Sequence, residues 1–520
     1  MASMNRFFNT AGPCVPGKHY LLDASERLLE VVELIRREQY FVIHAARQSG
    51  KTTLLIDLEA TLEAAGGHHA VYCSLEGMQS VADPLQGIPA VVERLRMTIA
   101  RHRALAPCAS GLPSDGGRWA VLLLDAITML AEASEKPLVL LFDEVDCLAE
   151  GTLISFLRQI RDGFVNRGRG TPFPSSVALV GMRNIRDYKA QIRPGGATLG
   201  SASPFNIASE ALTLKNFTEA EVGDLYAQHT ADTGQVFPPE AVARAFHWSQ
   251  GQPWLVNALA REVVDKMLGM DYAKPVDAAM FDTAAERLIL RRDTHIDSLV
   301  ERLREERVRR IVEPVLLGEG VGVSFQSDDA RYVVDLGLLR TDRGTWEAAN
   351  PIYREVIARA LSFDQQTAMP QTYVNRWVTD GRLDMNGLLR GFQEFWRENA
   401  DVWVEKYDYR EAAPHLILMA FLQRVVNGGA HIDREFALGR KRLDLCVQMG
   451  PHRYPVELKL RHSAKTEAEG LEQLGEYMDA CGAVEGWLVI FDRRPRRPWS
   501  RRIFWRTVKS GPRTIHVVGA

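Results

Sequence analysis

A buried strand that runs straight into a glycine-lysine-threonine turn constrains this chain more than any other feature. YFVIHA (40–45) is a short apolar run of β-forming residues, and KTTLLIDLEATLEAA continues it with helical spacing. The junction AARQSGKTT (45–53) lies where amides at a helix N-terminus favour an anion. The pattern G-x-x-x-x-G-K-[ST] would put its first glycine at position 45, where Ala45 stands; alanine is small enough to cost little backbone freedom. Gly50 lets the backbone wrap phosphates, Lys51 reaches the β- and γ-phosphates, and the Thr52 hydroxyl can hold Mg²⁺. Ala46, Arg47, Gln48, Ser49 and Thr53 complete the expected lining.

The octet alone could be a chance helix start. A second half of the site lies downstream, where PLVLLFDEVD is a hydrophobic strand ending in Asp143-Glu144. Asp143 is expected to hold the metal through water and Glu144 to polarise the attacking water. Further apolar runs at 70–75, 176–182 and 210–217 alternate with helical patterns, which implies a parallel sheet covered on both faces.

From residue 218 the pattern turns helical, opening on a Thr218-x-x-Glu221 capping signal. Two stretches rich in Gly, Pro and Ser, 106–117 and 193–204, read as loops. YVVDLGLL (332–339) reads as strand-like, and SFDQQTAMPQTY (362–373) as a linker. The organisation expected is an ATPase core over 1–217, a helical lid over 218–299, a winged-helix-like unit over 300–361, a linker over 362–380 and an α+β domain over 381–520.

In that last domain, GRKRLDLCVQMGPHRYPVELKLRHS (439–463) reads as a strand ending near Asp444, a tight turn around MGPHR and a return strand carrying Glu457-x-Lys459. Residues two apart on a strand share a face. Two carboxylates can bind Mg²⁺ or Mn²⁺ through oxygen, and an adjacent ammonium can orient water and offset transition-state charge. A solvated hairpin with one ion-paired face is the bland alternative. Downstream, DRRPRRPWSRRIFWRTVKS interleaves arginines with Trp499, Phe504 and Trp505, a composition suited to phosphate contact and base stacking.

Net charge is −3 over 520 residues, so a nucleic-acid partner would have to be met by a local patch. Six cysteines carry no CxxC and no Cys/His cluster, so neither a disulfide framework nor a zinc site is expected, and a reducing cytoplasm is the natural compartment. No stretch approaches the ~20 apolar residues of a membrane span.

NTAGPCVPGKHYLLD, FVIHAARQSGKTTLL, SLEGM, LLFDEVD, SPFNIA, GQPWLVNALA and NPIYREVI resemble bacterial AAA-ATPase-like proteins related to the STAND and archaeal-ATPase groups. Over residues 7–361 the resemblance implies a P-loop AAA-like α/β core with a helical lid and a winged-helix-like unit. It implies nucleotide sensing through Gly251 and Pro253 of GQPW, and a sensor position at Arg183 or Asn184; Arg186 and Arg193 are arginine-finger candidates. REAAPHLILMAFLQRVV…REFALGRKRLDL…YPVELKL…GLEQLGEYMDA…WLVIFD resembles the α+β PD-(D/E)xK nuclease domain over 405–492. That likeness implies Glu411 as the first-helix acid (Glu435 is a rival), Asp444 and Glu457 as metal ligands, Lys459 as the catalytic lysine and Gln473 as the helix glutamine.

Together these expectations describe an ATP-regulated, metal-dependent nuclease acting on nucleic acid, DNA favoured over RNA, in prokaryotic defence or mobile-element biology. A STAND-like switch that oligomerises with nucleotide and binds nucleic acid without cutting is one alternative. A DNA-remodelling ATPase is another.

Overall fold

The computed structural model describes the chain outside residues 1–5, 24–26, 115, 182–209, 292–293, 317–326, 343–344, 369–376, 380–381, 406–417, 420, 423–430, 439–440, 462–464 and 493–497. Two compact units result. The first comprises Met1–Asp297, Val323–Thr341 and Ala348–Ile352; the second comprises Ser298–Gly322, Asp342–Glu347 and Tyr353–Ala520.

In the first unit, β1 (Tyr40–His44), β2 (His69–Ser74), β3 (Leu138–Asp143), β4 (Ser176–Gly181) and β5 (Glu210–Thr213) form a parallel sheet in the order β2-β3-β4-β1-β5. Each strand lies where an apolar run foretold it, although β5 stops at Thr213. Successive side chains go to opposite faces. Tyr40, Val42, Leu138, Leu140, Phe142, Val177 and Leu179 enter one core, and Phe41, Ile43, Val139, Leu141, Ala178 and Val180 enter the other. Both faces are buried, so the strands read as unbroken apolar runs.

Helices α1 (Leu29–Arg36) and α2 (Lys51–Ala65) cover the second face through Val31, Ile35, Leu54 and Leu58. Helices α3 (Pro84–Ile99), α4 (Trp119–Ala133) and α5 (Glu150–Arg167) cover the first through Val91, Leu95, Leu123, Ile127, Phe156 and Ile160. Truncating one such side chain, as in Leu140→Ala, should cost about 2–5 kcal/mol through lost transfer energy and the cavity left behind.

The capping signal at 218 forms. Glu221 N–H donates to Thr218 Oγ1 (3.2 Å) and Thr218 N–H donates to Glu221 Oε2 (2.7 Å), opening α6 (Glu219–Thr233). With α7 (Pro239–Ser249), α8 (Pro253–Arg261) and α9 (Ala278–Arg291), it surrounds an aromatic core of Tyr226, Phe237 and Phe281 that also takes in Phe8 from the N-terminal segment.

Three local expectations change. Ala106–Gly111 winds into a 3₁₀ turn within the presumed loop, burying Ala109. The first half of the strand-like run at 332–339 is helix: α10 (Asp328–Asp335) is capped by Ser327 Oγ, which accepts from Ala330 N–H at 3.2 Å, and it buries Ala330 and Val333 at helical spacing. Only Leu339–Asp342 is strand. The presumed linker at 362–373 begins inside a helix, Pro351–Ala368, because nothing before Pro370 breaks helical backbone. The loop expected at 193–204 lies outside the described residues.

The second unit is built on a mixed six-stranded sheet. Its strands are β6 (His431–Leu438), β7 (Lys441–Met449), β8 (His452–Leu460), β9 (Glu485–Phe491), β10 (Phe504–Ser510) and β11 (Arg513–Gly519), ordered β6-β7-β8-β9-β11-β10. The pairs β6-β7, β7-β8 and β10-β11 are antiparallel, whereas β8-β9 and β9-β11 are parallel. Helix α11 (Met385–Glu405) precedes the sheet, and α12 (Thr466–Cys481) makes the crossover that parallel β8 and β9 require. Glycines allow α12 to lie close: a Cβ on Gly470 would sit 2.7 Å from Leu488 Cδ1, and one on Gly486 would sit 2.7 Å from Met478 Sδ. Within the arginine-rich run, Trp499–Arg502 is a helical turn and Phe504–Ser510 pairs with Arg513–Gly519 as a strand hairpin, while residues 493–497 lie outside those described. Phe504 and Val508 pack on the core beside Ile515 and Val517, an alternation that Arg506 between Phe504 and Val508 conceals in the sequence.

Candidate functional site

The first site lies at the C-terminal edge of the parallel sheet, between β1 and α2. Gly50 caps α2 with φ +86°, a left-handed conformation that glycine adopts without strain, and Gln48 in the same loop has φ +57°. Lys51 is buried, and its Nζ donates to the carbonyls of Ala45 (3.0 Å) and Ala46 (3.1 Å). Burial lowers the pKa of this ammonium, with Glu144, Asp143 and Asp146 acting in the opposite direction. Ser49 Oγ is buried with no hydrogen-bond partner among the described residues. Arg47 is exposed, and Thr53 Oγ1 accepts from Cys14 N–H at 2.9 Å.

Asp143, fully buried at the end of β3, joins the two halves of the site. Its Oδ2 accepts from Thr52 Oγ1 at 2.7 Å and from Tyr72 Oη at 3.1 Å, while its Oδ1 accepts from Glu144 N–H at 2.9 Å. Glu144 has φ +55°, an uncommon conformation for a non-glycine residue. Burial pushes its carboxyl up to about 7, against the opposing field of Lys51 and reinforced by Asp146, Asp143 and Glu76.

Other elements hold the loop from outside. Gln252, between the glycine and proline of GQPW, donates Nε2–H to Gln48 O at 3.2 Å, and its Oε1 caps α8 by accepting from Leu255 N–H at 2.6 Å. Pro253 occupies the first turn of α8 and is buried. Gly251 has φ +72°, and a Cβ there would sit 1.8 Å from Phe217 O, so no other residue fits. Gly337, at φ +75°, lies close enough to the loop that a Cβ would meet Ala46 Cβ at 2.6 Å. Arg340 Nη1 donates to Gln250 Oε1. Tyr72, Gln252 and Gly337 are contacts that sequence reasoning missed. Tyr72 is on a strand with no motif of its own, and its only signal was adjacency to the strand bearing Asp143. Arg183, Asn184, Arg186 and Arg193 lie outside the described residues.

The second site lies on the mixed sheet. Glu457 is fully buried on β8, and Lys459 stands two residues on. Lys459 Nζ pairs with Glu457 Oε1 at 2.8 Å and donates to Gln473 Oε1 of α12 at 2.9 Å. The expected face-sharing of Glu457 and Lys459 and the placing of Gln473 on an adjoining helix are both present. Asp444 is on β7, with its side chain outside those described; Leu445 pairs with Val456 in the antiparallel register, which extended by one residue sets position 444 across from position 457. Glu411 lies outside the described residues, and Glu435 is on β6, its side chain likewise undescribed.

Among the described residues of the aromatic and arginine run, Trp499, Arg502, Trp505 and Arg506 are engaged within the unit. The Arg390 guanidinium lies 5.0 Å from the Trp505 ring centre, Arg502 lies 5.0 Å from Trp499, and Arg506 bonds to Glu467. Arg461 pairs with Glu467 (3.5 Å) and Asp492 (3.7 Å).

Comparison with known proteins adds the following. Residues 389–494, from within α11 to just past β9, match a domain of unknown function (DUF8371). No curated protein matches the sequence. Among solved structures, the chain is similar to the Walker-type ATPase PABY2304 of Pyrococcus abyssi, at 14% identity and a TM-score of 0.47, over 67% of this chain and 99% of that one. It is also similar to the RuvB Holliday junction branch migration motor of Thermotoga maritima (14% identity, TM-score 0.34, 64% and 92% of the two chains). The ORC2 protein of Aeropyrum pernix matches at 12% identity and a TM-score of 0.37, over 64% and 91%. Among the described residues, no helix is long and apolar enough to cross a membrane.

Proposed function

We propose that the first unit binds and hydrolyses ATP, and that its nucleotide state governs a metal-dependent phosphodiesterase centre in the second unit, with DNA favoured over RNA as its substrate. The observation that carries the first half is the Thr52–Asp143 hydrogen bond of 2.7 Å, which brings the loop hydroxyl and the strand-end acid to one point. The loop suits phosphate chemically. The buried Ser49 hydroxyl lacks a partner among the described residues, and Lys51 lies on loop carbonyls that it can exchange for phosphate oxygens. Thr52 and Asp143 would hold Mg²⁺, which supplies charge neutralisation at the phosphate oxygens. Glu144, once ionised, accepts the proton of the attacking water.

In the second unit, the Glu457–Lys459–Gln473 cluster supports the cleavage reading. Gln473 and Glu457 fix the Lys459 ammonium, which orients water and offsets charge developing on the phosphate. Glu457, with Asp444 and Glu411, would hold Mg²⁺ or Mn²⁺, which supplies polarisation of the scissile phosphate.

Support for coupling comes from chain order. The segment Val323–Thr341 belongs to the first unit, yet both of its ends continue into the second. Gly337 on that segment abuts the phosphate loop at Ala46. A ligand that moves the loop therefore acts on a segment tied at both ends to the second unit, and a differential affinity of about 1–3 kcal/mol would give several-fold to hundredfold control.

The test incubates the full chain with labelled DNA and RNA, Mg²⁺ or Mn²⁺, with and without ATP. Cleavage that needs metal, disappears in Asp444→Ala and loses its ATP response in Lys51→Ala supports the proposal. A second reading makes the Lys459–Glu457 pair purely structural, in a nucleotide-dependent oligomeric switch that binds nucleic acid without cutting. Retained binding with no cleavage under any metal would select it.

A further inference from the structure

At the end of α2 and β2 opposite the phosphate loop, three side chains converge. Glu63 is in the last turn of α2, His69 is the first residue of β2, and His102 follows the C-terminus of α3. Their ligand atoms all lie within 4.8 Å of one another. Glu63 Oε1 is 3.4 Å from His69 Nδ1 and 3.2 Å from His102 Nε2. The two imidazoles meet edge to face with centroids 5.7 Å apart, and His69 is buried.

We propose that Glu63, His69 and His102 form a binding site for a divalent transition metal of the zinc class. A tetrahedral ion with bonds of about 2.0–2.1 Å has ligand–ligand edges of about 3.3 Å, and both measured separations match that edge. Two imidazoles and a carboxylate are borderline donors that favour zinc over magnesium or calcium, and three protein ligands leave a fourth position for water. Ala70 N–H donates to Glu63 Oε1 at 2.7 Å and orients the carboxylate from the second strand position. Leu105 N–H lies 3.3 Å from His102 Nδ1. That contact suits the metal-free state, in which Nε2 carries the proton and donates to Glu63. Metal binding at Nε2 moves that proton to Nδ1, so His102 stays neutral with no net proton released, and the Leu105 amide loses its acceptor, which relaxes the turn after His102. The ion ties the end of α2, whose other end is the phosphate loop, to β2 and to the turn after α3.

The test uses the full chain, stripped with chelator, dialysed, and kept in excess Mg²⁺ to occupy oxygen-rich sites. Bound Zn²⁺ is counted per chain, and Co²⁺ is added separately for its visible spectrum. Wild type should hold one more equivalent of Zn²⁺ than His69→Asn/His102→Gln, and its unfolding temperature should rise by a few degrees with Zn²⁺ while the variant's does not. His102→Cys removes the His102–Glu63 hydrogen bond but keeps a ligand, so it should retain the equivalent and add a thiolate-to-Co²⁺ charge-transfer band. Equal Zn²⁺ stoichiometry in wild type and the double variant, or no such band in folded His102→Cys, would overturn the proposal in favour of a hydrogen-bonded His–Glu cluster.

Discussion

Lys51, which is buried, and Lys459, which is half-buried, sit in opposite electrostatic settings. Lys51 rests on two backbone carbonyls, with Asp143 and Glu144 nearby as a field, whereas Lys459 pairs directly with the fully buried Glu457. The first arrangement leaves the charge exchangeable, since a phosphate can replace weak neutral partners. The second holds the charge in place, since removing Lys459 would strand the fully buried Glu457 in a low-dielectric interior. A residue meant to meet a diffusing ligand and one meant to hold a fixed geometry therefore differ in their partners.

The largest effect expected from that contrast is functional at Lys459. Lys459→Met should lower metal-dependent cleavage by about 10²–10⁴-fold, the usual range for a positioned proton-transfer group. It should also destabilise the second unit by up to ~3–5 kcal/mol, unless Glu457 takes up a proton. Single-turnover cleavage and denaturant melts would measure both. Loss of stability with unchanged cleavage would reduce the pair to a structural bridge.

Lys51→Ala sharpens the other half. It should weaken ATP binding by at least about a hundredfold, because the loop loses its charged phosphate donor at that point. Nucleotide titration by calorimetry checks this, and unchanged affinity would remove the site assignment.

The third effect depends on pH. Glu144 must be ionised to accept a proton, and burial has raised its carboxyl to about 7. Turnover of ATP should therefore climb as pH rises from about 6 to about 8. The sign for stability is the reverse: the folded chain binds this proton more tightly than the unfolded chain, so the group favours folding most at low pH and loses that contribution as pH rises towards 7. Glu144→Gln should keep ATP binding and abolish the rising limb; a rate profile that is flat in wild type would argue against Glu144 as the base.

The smallest effect is expected at Gly337. A Cβ there would press on Ala46 at 2.6 Å from a left-handed backbone, so Gly337→Ala should cost about 1–3 kcal/mol in strain and alter the ATP response of cleavage several-fold. Unaltered ATP dependence in a folded Gly337→Ala chain would remove the proposed route between the two units.

Much of this was legible in the chain itself wherever the deciding interactions are local. Tyr40–His44 and Leu138–Asp143 announce themselves because a strand buried on both faces must be apolar at every position. The Thr218–Glu221 cap and the Glu457-x-Lys459 face need only three or four consecutive residues. The helix at Asp328–Asp335 was misread because Tyr-Val-Val has β-forming residues, whereas the cap at Ser327 and the burial of Ala330 with Val333 outweighed that preference. The hairpin of Phe504–Ser510 and Arg513–Gly519 stayed hidden because charge masks its period of two.

Sequence alone determined which residues could meet a phosphate, since the strand, the loop and the helix N-terminus are contiguous and backbone geometry places Gly50, Lys51 and Thr52 together. Tertiary structure decided what closes on them. Tyr72 reaches Asp143 only because β2 pairs with β3, Gln252 and Gly337 arrive from the segment before α8 and the turn after α10, and Gln473 meets Lys459 because Gly470 lets a helix settle on β9. Glu63, His69 and His102 likewise belong to three elements that only packing brings to one point. Contacts within a few residues are fixed by local backbone geometry. Contacts across dozens or hundreds of residues exist only once the cores have excluded water and set the distances between elements.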